Sequence, residues 1–220
     1  MGRHVAGASF LRGFARFADV ETFYCHARTD EDFADFSNRI KAARGAAAKC
    51  VRASTQSLVN ADGPGCLFRS GPDLGALAWA RRYSDTRNVS LCGLTHTISS
   101  EGVMDAIGSL LVAPLQSWDA LICTSRAVKT TVLHVLENWG DYLNQRLNAK
   151  CRSVVQLPII PLGVDTEFFA NAAANGAARK QWRDELGIAE PDIAVLFMGR
   201  LSYHAKAHPA PMYAALEEAS

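Results

Sequence analysis

Apolar runs of four to eight residues alternate repeatedly with longer segments of helical period, the arrangement expected of parallel strands joined by crossover helices. The pattern predicts strands at 20–25, 66–69, 89–95, 120–124, 154–160 and 193–198. Several are apolar at consecutive positions, as in a sheet covered by helices on both faces. Helical spacing predicts helices at 10–17, 74–83 and 100–111, with Ser100 placed to cap the last of these. A longer helix is predicted after Ser125, where Val128, Val132, Val135, Leu136, Trp139, Leu143 and Leu147 fall on one stripe that faces the sheet as core. The run ANAAANGAA at 170–178 reads as a loop or hinge, followed by a charged helix around 181–186. After Gly187 the run IAVLFM opens a new strand-loop-helix unit. The class is α/β.

An apolar fraction of 49% over 220 residues allows a packed core, and a formal charge of +1 with scattered Lys and Arg offers no footprint for nucleic acid. The expected partner is a small molecule. Cys25, Cys50, Cys66, Cys92, Cys123 and Cys151 form no C-x-x-C pair, and no histidine spacing suits zinc. Reduced core thiols of a cytosolic protein are therefore expected, not a disulfide framework. The opening MGRHVAGASF lacks the apolar core of a secretory signal, and no run approaches the ~18–20 residues of a membrane span. The chain reads as soluble and cytoplasmic, while peripheral contact between an amphipathic surface and a membrane stays open.

Four places along the chain suggest chemistry. The segment GRHVAGASF reads as a glycine-containing loop entering a helix, in which Gly2 and Gly7 let the backbone approach a phosphate at the helix N-terminus; a structural turn is the alternative. His96 ends the strand at 89–95, at a carboxyl edge that faces a cleft, with Thr95, Thr97 and Ser99 as neighbouring hydrogen-bonding groups. Ser125 and Arg126 occupy the equivalent edge after the next strand, where Ser125 also serves as a helix cap. Arg200 and Lys206 follow the strand at 193–198, where two cations can neutralise a diphosphate; His204 and His208 flank the lysine.

The segment Pro161-Leu162-Gly163-Val164-Asp165, followed by Phe168-Phe169, resembles the P-x-G-V-D-x-x-x-F element at the interdomain crossing of family-four GT-B glycosyltransferases. There the proline and glycine turn the chain, Asp165 hydrogen-bonds the turn, and a phenylalanine anchors the crossing. Phe197-Met198-Gly199-Arg200-Leu201 with Lys206 is similar to the G-R-L-x-x-x-K-G element of the same family, with one extra residue before the lysine and Ala207 in place of the glycine.

The resemblance implies a Rossmann-like acceptor-side domain at 1–160, an interdomain linker at 161–190 and the start of a nucleotide-sugar domain at 191–220. The first strand of the first domain is expected to be missing. The paired glutamates that hold the donor in the full family would lie beyond Ser220. The activity implied is retaining transfer of a sugar from a nucleotide-diphosphate donor to the hydroxyl of a glycan, lipid-linked or small-molecule acceptor, with no metal or other cofactor. Arg200 and Lys206 would hold the diphosphate, amides near Gly7 would assist, and His96 would orient a hydroxyl. By itself the chain would be inactive. Two other readings remain, a sugar-nucleotide epimerase of the same fold and a non-catalytic α/β module.

Overall fold

The computed structural model describes residues 2–54, 63–98, 100–174, 176–197 and 208–219. The chain divides into two units, Met1–Val164 and Asp165–Ser220.

The first unit opens with α1 (Gly2–Phe17), β1 (Thr22–Cys25), α2 (Asp30–Arg44) and β2 (Lys49–Arg52). β1 and β2 pair in parallel, with Phe23 opposite Cys50 and Cys25 opposite Arg52. The helix between them starts at a capping box: the Thr29 hydroxyl accepts from the Asp32 amide at 3.0 Å, and the Asp32 carboxylate accepts from the Thr29 amide at 3.2 Å. Ala15, Phe23 and Ile40 are buried together where α1, β1 and α2 meet. The Arg44 guanidinium donates to the carbonyls of Ala18 at 2.6 Å, Ala15 at 3.3 Å and Val20 at 3.2 Å, and so satisfies one acceptor in the last turn of α1 and two in the connection that follows it.

The GRHVAGASF segment is helical from Gly2, which corrects the expected glycine loop. Each glycine inside a helix costs about 1 kcal/mol against alanine. Packing outweighs that cost: Leu11 and Ala15 turn inward, Phe14 meets Phe23 edge-on at 5.8 Å, and Phe10 stacks on Phe68 at 4.4 Å.

Next come β3 (Cys66–Arg69), α3 (Gly75–Arg81), β4 (Ser90–Thr95), α4 (Glu101–Gly108) running into a 3-10 turn at Ser109–Leu111, β5 (Ala120–Cys123) and α5 (Arg126–Leu147). The three strands form a parallel sheet in the order β3-β4-β5, so the α/β class with parallel strands holds. Its core gathers Leu74, Ala78, Leu91, Ile107, Leu121 and Val132, with Leu136 and Val155 beside them. The stripe on α5 behaves as its spacing implies, except that Leu147 is 65% exposed. Trp139 lies so close to α4 that a Cβ on Gly108 would come within 2.4 Å of the indole.

The segment predicted as a strand at 154–160 runs parallel beside β5 but joins it only by bridges at Gln156 and Ile159. Residues 156, 158 and 160 turn toward β5: Leu121 N–H donates to the Gln156 carbonyl at 2.8 Å, Cys123 N–H to Pro158 at 2.9 Å, and Ile160 N–H to Cys123 at 3.0 Å. Pro158 has no N–H to offer the Leu121 carbonyl, which interrupts the ladder. The Cys123 thiol donates to that carbonyl instead, at 3.7 Å.

All six cysteines are free, but only Cys123 is fully buried and Cys66 is exposed, which corrects the expectation that they are core residues as a group.

The amino edge of this sheet holds a feature that the sequence pattern does not signal. Arg81 and Asp119 are both fully buried and form a bidentate pair, at 2.7 and 2.6 Å. Arg81 also donates to the Val89 carbonyl at 2.8 Å, and Asp119 accepts from the amides of Leu91 and Gln116, each at 2.8 Å. The pair ties the end of α3 to the starts of β4 and β5.

The second unit contains α6 (Thr166–Ala173), α7 (Gly176–Leu186) and α8 (Pro209–Ala219). Asp165 caps α6, its carboxylate accepting from the Phe168 amide at 3.0 Å. Phe168 and Phe169 pack edge-on at 5.4 Å. The ANAAANGAA run is therefore mostly helix, not a hinge loop; alanine is the strongest helix former and continues both α6 and α7. Gly187, at a φ of +67°, ends α7 as the sequence predicts. Residues 193–197, read as part of a strand, form no ladder: Ile193 is 92% and Leu196 81% exposed. A strand needs a partner, and among the described residues of this unit there is none.

Candidate functional site

The carboxyl edge of the β3-β4-β5 sheet collects the chemistry of the first unit. Parallel strands with crossover helices bring the residues after β3, β4 and β5 to one side, where a ligand meets loops and helix starts and not the core. Here these are Arg69 and Ser70, then His96 and Thr97, then Ser125 and Arg126.

The loop after β3 is drawn over the end of β4. A Cβ on Gly93 would sit 2.7 Å from the Gly71 carbonyl oxygen, so only glycine permits this approach. The Leu94 amide donates to that same carbonyl at 3.3 Å. Beyond it, His96 Nε2 lies 2.9 Å from the Ser70 carbonyl oxygen, while the residue as a whole stays exposed. A carbonyl can only accept, so Nε2 carries the proton, and in the neutral ring Nδ1 is left as an acceptor. The edge thus offers a fixed imidazole that can receive a hydrogen bond from a hydroxyl.

Arg69, at the end of β3, pairs with Asp73 at 2.5 and 2.7 Å. The hydrogen bond to Asp73 raises the Arg69 pKa. Burial acts to raise the Asp73 carboxyl, but the hydrogen bond and charge of Arg69 outweigh it and hold that group below its ordinary value. With Gly75, Ala76, Leu77, Ala106 and Ser109 the pair lines a shallow, largely apolar hollow of about 180 Å³.

Among the residues that sequence marks for this edge, Thr95 is fully buried and donates from Oγ1 to the Ile122 carbonyl at 2.8 Å, so it pins β4 to β5 and does not serve a ligand. Ser99 lies outside the described residues. Ser100 stands at the N-cap position of α4 in extended backbone, but its side chain makes no cap hydrogen bond. Ser125 caps α5, its hydroxyl accepting from the Val128 amide at 3.1 Å, while Arg126 beside it is exposed.

Gly2 and Gly7 do not form a phosphate loop. Gly7 stands in the second turn of α1, where its amide belongs to the helix ladder, and the free amides of that helix are those of the first turn, beginning at Gly2. Arg200, Lys206 and His204 lie outside the described residues. His208 is described: its Nδ1 accepts from the Ala210 amide at 3.2 Å at the start of α8. Among the described residues there is no cluster of three or more His, Cys, Asp or Glu side chains able to hold a metal ion.

Sequence reasoning missed Ser70, Gly71 and Arg69 as parts of this edge. The signal available was the S-G-P-D turn directly after the strand at 66–69, a sequence built for a tight reversal. Comparison of the chain with protein-family models, with curated proteins and with solved structures finds no match in any of the three.

Proposed function

We propose that the protein takes part in glycosyl transfer from a nucleotide-diphosphate sugar, with the edge around His96 forming the acceptor-side wall of the reaction site. The observation that carries this reading is the imidazole itself. It stands after a parallel strand, held through Nε2 on the Ser70 carbonyl, with Nδ1 suited to accept from a sugar or acceptor hydroxyl. The Pro161-Leu162-Gly163-Val164-Asp165 and Gly199-Arg200-Leu201 elements, in family order, add the donor side. Arg200 and Lys206 would take the charge that develops on the departing diphosphate, and no metal would be required for that step.

The test uses calorimetry on the 220-residue chain with UDP, GDP and ADP against the corresponding monophosphates. At least one diphosphate should bind more tightly than its monophosphate, and Arg200→Ala or Lys206→Ala should abolish the difference. If no diphosphate binds, or if both variants bind as the parent does, the proposal fails. His96→Ala should leave diphosphate affinity nearly unchanged and act on the hydroxyl-bearing ligand alone.

A further inference from the structure

The amino edge of the β3-β4-β5 sheet, opposite His96, presents aromatic and aliphatic side chains to solvent inside a set of basic residues. Tyr83 is 89% exposed, Trp118 40%, Leu147 65% and Val154 52%. They come from three connections far apart in sequence. The buried Arg81–Asp119 pair holds two of these together, and Gln156 holds the third: its amide donates to the Asp119 carbonyl at 2.9 Å and its side chain to the Ser117 carbonyl at 2.8 Å. α5 adds to the edge by its length. Its 22 residues span about 33 Å, against about 20 Å for the six-residue β4, so its last turn runs past the sheet. That overshoot explains why Leu147 leaves the buried stripe.

Charge at this edge departs from the rest of the chain. The connections at 82–88 and 146–153 carry Arg82, Arg87, Arg146, Lys150 and Arg152 against one acidic residue, Asp85, while the whole chain carries only +1. All five bases are exposed, and none joins an ion pair among the described residues. The other local carboxylate, Asp119, is buried and already matched by Arg81.

We infer that this edge docks the protein on an anionic lipid surface, with Tyr83 and Trp118 entering the headgroup region and the five bases meeting lipid phosphates around them. Aromatic side chains with a polar tip favour that interface, and long basic side chains reach headgroups while their stems cover apolar surface. Leu147 and Val154 favour lipid over nucleic acid, because an aliphatic side chain gains more from acyl chains than from the mostly polar base edges and phosphates. The contact is peripheral: no described helix is long and apolar enough to cross a membrane. The inference does not depend on sugar transfer. It does orient the molecule, with the His96 edge turned away from the lipid.

Vesicle flotation tests it, using the 220-residue chain with vesicles of phosphatidylcholine alone or of phosphatidylcholine and phosphatidylglycerol in equal parts. Binding should be at least about tenfold stronger to the anionic vesicles, since each base near such a surface is worth about fivefold, and should weaken with salt. Arg87→Glu with Lys150→Glu should lower it by more than about tenfold, whereas Lys41→Glu on α2 should not change it. Trp118→Phe should remove a blue shift in fluorescence that the parent shows on binding, a readout that stands even if the double reversal disturbs folding. Equal binding to both vesicle types, no binding, an equal loss with Lys41→Glu, or tighter binding to single-stranded DNA than to vesicles would each overturn the inference.

Discussion

Replacing Asp119 by alanine should be the most damaging single change in the first unit. The carboxylate accepts two hydrogen bonds from Arg81 and one each from the amides of Leu91 and Gln116. Its loss leaves a guanidinium with no solvent exposure facing a void, with only the Val89 carbonyl as partner, and two amides without acceptors. Removing one member of a buried ion pair costs roughly 3–5 kcal/mol, and a buried amide without an acceptor about 1–3 kcal/mol unless water enters. Water will relieve part of this, so about 5 kcal/mol is expected, against a total of roughly 5–15 kcal/mol for a domain. Arg81→Met removes the charge but leaves Asp119 its two amides, so it should cost less, about 3 kcal/mol. Urea unfolding followed by tryptophan fluorescence measures both, and the double variant gives the coupling. A loss below about 1 kcal/mol for Asp119→Ala would refute the claim that the pair is sealed from water and carries the amino edge.

Two further outcomes can be checked on the same material. Gly108→Ala forces a methyl to within 2.4 Å of the Trp139 indole, so it should cost about 2 kcal/mol or more in the same urea assay; a neutral result would mean that α4 and α5 are not in close contact. Burial, with a smaller contribution from Cys66, pushes the Cys92 thiol up to about 11. At a pH near 8 roughly one Cys92 in a thousand is thiolate, so iodoacetamide should modify exposed Cys66 long before Cys92, whose rate should climb until about pH 11. In sign, the folded chain keeps a proton that the unfolded chain releases, so stability is lost as pH rises from the ordinary 9.0 toward that value. Mass spectrometry of peptides settles it, and a Cys92 rate already level below pH 9 would contradict the account.

The strands at 66–69, 90–95 and 120–123 are legible because a sheet covered by helices favours consecutive apolar residues. The same rule misleads at 193–197, where apolar composition is present and a partner strand is not. α2 and β2 escape for the opposite reason. Asp30–Arg44 is mostly polar with a narrow inner face at Phe36 and Ile40, and the apolar part of Lys49–Arg52 is only two residues long. The Thr29-x-x-Asp32 box was the available sign of α2. At the site, His96 is legible because a strand's last apolar residue locates its carboxyl edge. Its Ser70 partner is 26 positions away, and Arg81 lies 38 positions from Asp119. No local pattern reveals which charged side chain will be buried, because that depends on which helix end meets which strand.

The missing proline N–H beside β5 has a mechanical consequence. Up to Gln156 the outer segment is held by reciprocal backbone bonds, whereas past it one rung is absent, because the Leu121 carbonyl takes its hydrogen bond from the Cys123 thiol of its own strand. Peeling of this sheet should therefore begin at 157–160 and travel backward. Deuterium uptake at Ile160 should then outpace uptake at Leu121, although both amides sit in the same row of the sheet.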